Sequence, residues 1–179
     1  RSAQFIQTLI PRETIITNDN KTLNRLELDI FIPSRNLAFE FNGTYWHDER
    51  HVNSTSHQNK RLLCKEKNIT LIQIWQDSWV YTRDACESLI KRALNIYSTQ
   101  QINNQIITTP HKTIQDFIQE NSTQPITPSD CCMALTNKQN EILCAIGINI
   151  NNHTIEINSY AEIEPIQNSL QLFIQYKQD

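Results

Sequence analysis

A four-residue turn, Pro33-Ser34-Arg35-Asn36, separates two runs whose side chains alternate between two faces. Residues 23–32 send Leu26, Leu28 and Ile30 one way and Glu27, Asp29 and Phe31 the other. Residues 37–41 form the second run, in which Phe39 and Phe41 flank Glu40. Period-two runs this close together bury an apolar face most simply by pairing as an antiparallel hairpin. The hairpin is therefore the fixed point around which the neighbouring elements must pack.

Those neighbours are legible. Residues 3–9 place Phe5, Ile6 and Leu9 at helical spacing, and Pro11 ends the run. Residues 14–17 are a short β-branched stretch, and 18–21, Asn-Asp-Asn-Lys, read as a turn. A helix is expected over 56–67, a fully buried strand over 69–75 and a helix over 82–97. This order suits a mixed sheet flanked by helices, its last strand reached by a helical crossover. The polar run 98–110 is the expected linker between a first domain, 1–97, and a small α+β domain, 111–179. In the latter a helix is expected over 113–120, a loop over 123–130, strands over 133–135, 141–149 and 154–160, and a last helix from Pro165 to Tyr176.

Charge and composition bear on partners. A net charge of −3 argues against tight phosphate binding by the chain as a whole. That does not exclude a basic face, since basic residues are denser in the first half, Arg25, Lys60 and Arg61 among them. Asn, Gln, Ile and Thr are in excess throughout, which reads as compositional bias. The five cysteines show no C-x-x-C spacing, so reduced thiols in an intracellular protein are expected. No apolar run approaches a membrane span, so no membrane partner is expected.

The chemistry lies in the hairpin. Asp29 and Glu40 sit on neighbouring strands near one turn and can face each other across it. Two anionic oxygens at close range repel unless a cation lies between them, and hard oxygen ligands favour Mg²⁺ or Mn²⁺. Asn42 points to the Glu40 side and can orient a water or a phosphate oxygen. His47 follows the turn at Gly43, and an imidazole is a general acid or base near neutral pH. Taken singly, paired carboxylates on a hairpin are usually a solvated face, and a Trp-His pair is usually packing.

The combination resembles a family. Glu-Leu-Asp-Ile-Phe-Ile-Pro at 27–33 and Leu-Ala-Phe-Glu-Phe-Asn-Gly-Thr-Tyr-Trp-His at 37–47 open the pattern. His57 with Lys60, Cys64, Asn68-Ile69, then Leu-Ile-Gln-Ile-Trp at 71–75 with Asp77 and Trp79, complete it. Together these resemble the phage homing endonucleases of the EDxHD type, relatives of the very-short-patch repair (Vsr-like) nucleases within the PD-(D/E)xK fold. The likeness covers roughly residues 5–83. It implies an α/β (α+β) nuclease core and Mg²⁺-dependent hydrolysis of DNA phosphodiesters.

Carried over by residue, Asp29 resembles the central metal-binding aspartate and Glu40 the second acid. Asn42 stands where many members have lysine, and His47 resembles the catalytic histidine. His57 joins the catalytic set from the next helix, where it and Lys60 can touch the site or DNA. Lys60, Arg61 and Arg25 are the candidate DNA contacts the resemblance implies, and Glu27 is a weaker catalytic candidate on the Asp29 side. Such nucleases also draw a glutamate from the first helix; residues 1–11 hold no acid, with Gln4 or Gln7 near its place. Because the chain opens on Arg1 rather than Met, that glutamate is looked for upstream. More weakly, the second half resembles the C-terminal module of many phage nucleases, which implies target recognition or partner contact. The expected setting is the host cytoplasm, with DNA, and either a larger chain or a protein, as partners. Mismatch nicking and an RNA substrate stay open. The other expectation is an inactive nuclease-fold module of a larger viral protein, binding DNA or protein.

Overall fold

The computed structural model describes residues 2–43, 54–99, 102–123, 127–151 and 154–176. They divide into two compact units, Arg1–Val80 and Tyr81–Asp179. In the first, the hairpin strands are β2 (Leu26–Ile32) and β3 (Leu37–Asn42), with Ile30 opposite Phe39 and Ile32 opposite Leu37. Pro33–Arg35 makes one tight helical turn, closed by Asn36 at φ 47°.

Strand β1 (Ile16–Leu23) pairs antiparallel with β2 and runs straight through the expected turn at 18–21. The turn signal there is local. Asn18 takes φ 52°, Asp19 accepts N–H bonds from Lys21 at 3.0 Å and Thr22 at 3.4 Å, and the register shifts between Asp19 and Leu23. The chain reverses instead at Asn24-Arg25, with φ of 50° and 80°, the left-handed pair that suits a two-residue hairpin turn. Asn18, Asn24, Asn36, Asn68, Asn95, Asn140 and Asn168 all have positive φ. In a chain with two glycines, asparagine supplies the left-handed positions, so part of its excess has a structural use.

Helix α1 (Ser2–Leu9) precedes the sheet, and α2 (Ser54–Glu66) carries the chain from β3 to β4 (Thr70–Trp75). β3 and β4 are parallel, giving the sheet order β1-β2-β3-β4. The mixed sheet with its helical crossover is thus present. β4 is not fully buried, as expected of 69–75: it ends the sheet, and only Ile74 is wholly covered. One core cluster joins Leu28, Phe31 and Ala38 to Cys64 of α2. On the other face Phe41 meets Trp79 edge-on at 5.5 Å, and Trp79 lies 6.5 Å from Phe5 of α1. Trp79 belongs to α3 (Gln76–Tyr81), a short helix not foreseen.

The second unit holds α4 (Arg83–Ala93), β5 (Ile102–Ile107), α5 (His111–Asn121), β6 (Cys131–Asn137), β7 (Ile142–Asn151), β8 (Thr154–Glu162) and α6 (Ser169–Tyr176). The units therefore divide ahead of 98–110, and that stretch contains a strand. β5 escaped notice because it is an edge strand rich in Asn and Gln, held by Ile102 and Ile106 against the core. The antiparallel order is β5-β6-β7-β8. Small residues, Cys132, Ala134, Ala145 and Ala161, let α5 approach one face through Ile114 and Ile118. Met133, Leu135, Ile146 and Ile148 fill the other with Ile166 and Phe173. The five cysteines are free thiols. Among the described residues no helix is long and apolar enough to cross a membrane.

Gly147 sits in the tightest part of this sheet. A Cβ there would meet Ser129 Oγ at 2.2 Å and Ser159 Oγ at 2.3 Å. Gly147→Ala is expected to destabilise by about 1–3 kcal/mol, the usual range for overpacking. Urea unfolding checks this; an unchanged midpoint would show that the serines simply rotate away.

Candidate active site

Phe31 is paired with Ala38, and alternation sets Asp29 and Glu40, two residues along from each, on that same face. The Asp29 carboxylate is close enough to act on the Glu40 carboxyl. Asp29 is pinned there: its Oδ2 accepts the Phe41 N–H at 2.7 Å. Glu40 is 8% exposed.

Helix α2 covers that face. Cys64 packs with Ala38 and Phe31, which the same alternation places beside Glu40 and Asp29. One helical turn earlier, Lys60 lies over the carboxylates and donates to Glu40 Oε1. Its side chain is only 15% exposed. Glu40 Oε2 is buried and has no partner. Burial pushes the Glu40 carboxyl above its usual range; the Lys60 ammonium opposes this and the Asp29 carboxylate adds to it.

A raised folded-state pKa has a definite linkage sign. Folding favours the protonated acid, so that contribution is full below the ordinary carboxylate pKa and is lost as pH rises through the folded value. The stability of Glu40→Gln relative to the natural chain is therefore expected to improve between acid and neutral pH. Thermal unfolding of both across that range decides it; the opposite trend would mean that Lys60 outweighs burial.

Two more polar groups share the face. Asn42 follows Glu40 by two residues, is 7% exposed, and has no partner for Nδ2. Gln73 of β4 is paired in register with Glu40, and its Nε2 is likewise buried and unpartnered. Gln73 was read from sequence only as part of a strand. Its one signal is that it is the sole strongly polar side chain within residues 71–75, and its placement needed the parallel register.

The structure thus brings together Asp29, Glu40, Asn42 and Lys60. Lys60, expected to touch either the site or DNA, is held at the site in a buried ion pair with Glu40. Arg61, next on the helix, is exposed, and lines one surface hollow with Lys65 and with Thr70 at the start of β4. Arg25 is exposed in the β1–β2 turn, at the end of the sheet where β3 finishes. Glu27 is exposed on the Asp29 side of β2. His57 lies on α2, but its side chain, like all of His47, falls outside the described residues. Helix α1 offers no carboxylate. Gln4 is exposed, and Gln7 donates to the Ile10 and Glu13 carbonyls at the helix end. Glu13 is held by Arg35 and Ser34 at the opposite end of the hairpin, and these bonds bring its pKa down to about 2.

Among the described residues no group of three or more His, Cys, Asp and Glu converges as metal ligands. The donor set at hand is smaller but of the right kind. The unpartnered Glu40 Oε2 and the adjoining Asp29 carboxylate are hard oxygens suited to Mg²⁺ or Mn²⁺. No family model matches the chain, and no curated protein or solved structure matches it.

Proposed function

We propose that the chain is a Mg²⁺- or Mn²⁺-dependent DNA endonuclease of the PD-(D/E)xK, Vsr-like kind. The observation that carries this is the closeness of the Asp29 and Glu40 carboxyls on one sheet face, with the Lys60 ammonium on Glu40. When bound, a divalent ion supplies Lewis-acid polarisation of the scissile phosphate. Asp29 and Glu40 would hold it. The Phe41 N–H keeps Asp29 oriented, and Lys60 keeps Glu40 turned so that one oxygen stays free. His47, five residues after Asn42 in sequence, is the proposed acid or base.

Charge favours a diester as substrate. Two carboxylates and one ammonium leave a single negative charge. A divalent ion converts that to a single positive charge, which the monoanionic phosphodiester cancels. The exposed Arg25 and Arg61 are the remaining candidates for backbone phosphates.

Incubation of supercoiled plasmid with the chain tests this. Mg²⁺-dependent nicked or linear product, abolished by chelation, is expected, and the nicked-to-linear ratio separates mismatch-type nicking from double-strand cutting. No product with either Mg²⁺ or Mn²⁺ would contradict it. One observation favours a second reading, a nuclease-fold module that binds without cutting: Lys60 already occupies one Glu40 oxygen, and α1 carries no acid. That reading predicts retained duplex in a mobility-shift assay with no strand breaks.

A further inference from the structure

We propose that Gln73, together with Asn42, is a positioning residue: their side-chain amides donate to a non-bridging oxygen of the bound phosphodiester. This rests on the nuclease reading and adds to it a residue from β4. Three polar atoms, Glu40 Oε2, Asn42 Nδ2 and Gln73 Nε2, are all closed to solvent and all without partners. They lie on one face of two adjacent strands, since Gln73 is in register with Glu40 and Asn42 is the next residue of that face. The other such atoms among the described residues, on Asp19, Ser88, His111 and Thr136, stand singly on separate elements.

A buried donor left unmade costs folding free energy, and native chains rarely keep several together. The three here are complementary to one ligand. The carboxylate oxygen is an acceptor that faces a cation. The two amides are neutral donors that face an anionic oxygen. Neutral donors also leave the site charge balanced for a diester, whereas the lysine that Asn42 replaces would add a further positive charge. Lys60 is already tied to the other Glu40 oxygen by one of its three N–H groups.

The test follows the amides directly. In a ¹⁵N–¹H spectrum of the full chain, the side-chain NH₂ signals of Gln73 and Asn42 are assigned with Gln73→Met and Asn42→Ser. Adding a short DNA duplex with Ca²⁺ should shift both signals. The same duplex with neutral methylphosphonate linkages should shift neither. Signals that stay in place while other resonances report binding would overturn the proposal, and a duplex that moves no resonance would overturn both it and the nuclease reading.

Kinetics and unfolding add an independent arm. Gln73→Met should lower kcat about a hundredfold, the scale of losing one preorganised donor, with KM little changed. The variant should unfold at the same or a higher temperature, because it deletes an unmet buried donor. A purely structural glutamine would lower the unfolding temperature and leave kcat alone. Natural chain that cuts DNA beside an equally fast Gln73→Met defeats this inference and leaves the nuclease reading intact. Shifted amides without any cleavage do the reverse.

Discussion

Arg92→Met is expected to lower the unfolding temperature of the second unit by about 10–20 °C. The arginine reaches from α4 into a polar cluster inside that unit. Its Nε donates to Glu162 Oε1 at 2.6 Å, and its Nη2, with two N–H groups to share, lies within bonding distance of Glu162 Oε2, Tyr160 Oη at 2.7 Å, Ser169 Oγ at 3.1 Å and the Ile166 carbonyl at 3.2 Å. Its guanidinium lies 5.5 Å from the Tyr160 ring centre. Glu162 is 5% exposed, so methionine would leave a carboxylate buried beside a hydroxyl and one N–H. Removing one member of a buried pair costs about 3–5 kcal/mol, and in a domain near a hundred residues about 1 kcal/mol moves Tm by about 4 °C. The double variant Arg92→Met/Glu162→Met should recover much of the loss, since an apolar pair of similar volume is often neutral. Circular dichroism melts of the three chains test this. A single variant melting within about 3 °C of the natural chain would mean that the cluster is not holding α4.

The second large effect concerns chemistry. Asp29→Asn should reduce Mg²⁺-dependent cleavage by about a thousandfold or more, because a bound metal is worth several kcal/mol in transition-state stabilisation and about 1.4 kcal/mol is tenfold in rate. Asparagine keeps the shape of the side chain. Its carbonyl oxygen can still accept the Phe41 N–H, so the hairpin should persist. Loss of cleavage with an unchanged melt would locate the effect in the charge. Cleavage within tenfold of the natural rate would remove Asp29 from the site.

Much of the first unit was readable because its signals are local. The alternation in 23–32 and 37–41 specified the hairpin, and the shared face of Asp29 and Glu40 followed from it. What escaped depends on tertiary placement. The sequence leaves Lys60 open to the site or to DNA, and no local pattern chooses between them, because a lysine on a polar helix face looks like a solvated charge; its bond to Glu40 is a tertiary fact. Gln73 needed the parallel register of β3 and β4. The Asn-rich 18–21 looked like a turn because Asp19 does bind the backbone two and three residues on, but the strand absorbs this as an irregularity. β5 hid among Asn and Gln since an edge strand needs only Ile102 and Ile106 to anchor it. Arg92 carried no sign of burial, because its partner Glu162 lies 70 residues away.

Anomalous scattering from crystals soaked in Mn²⁺ bears most directly on the whole account. A single peak within bonding distance of both an Asp29 oxygen and Glu40 Oε2 is the predicted result. A metal bound elsewhere, with those two side chains bare, would contradict it.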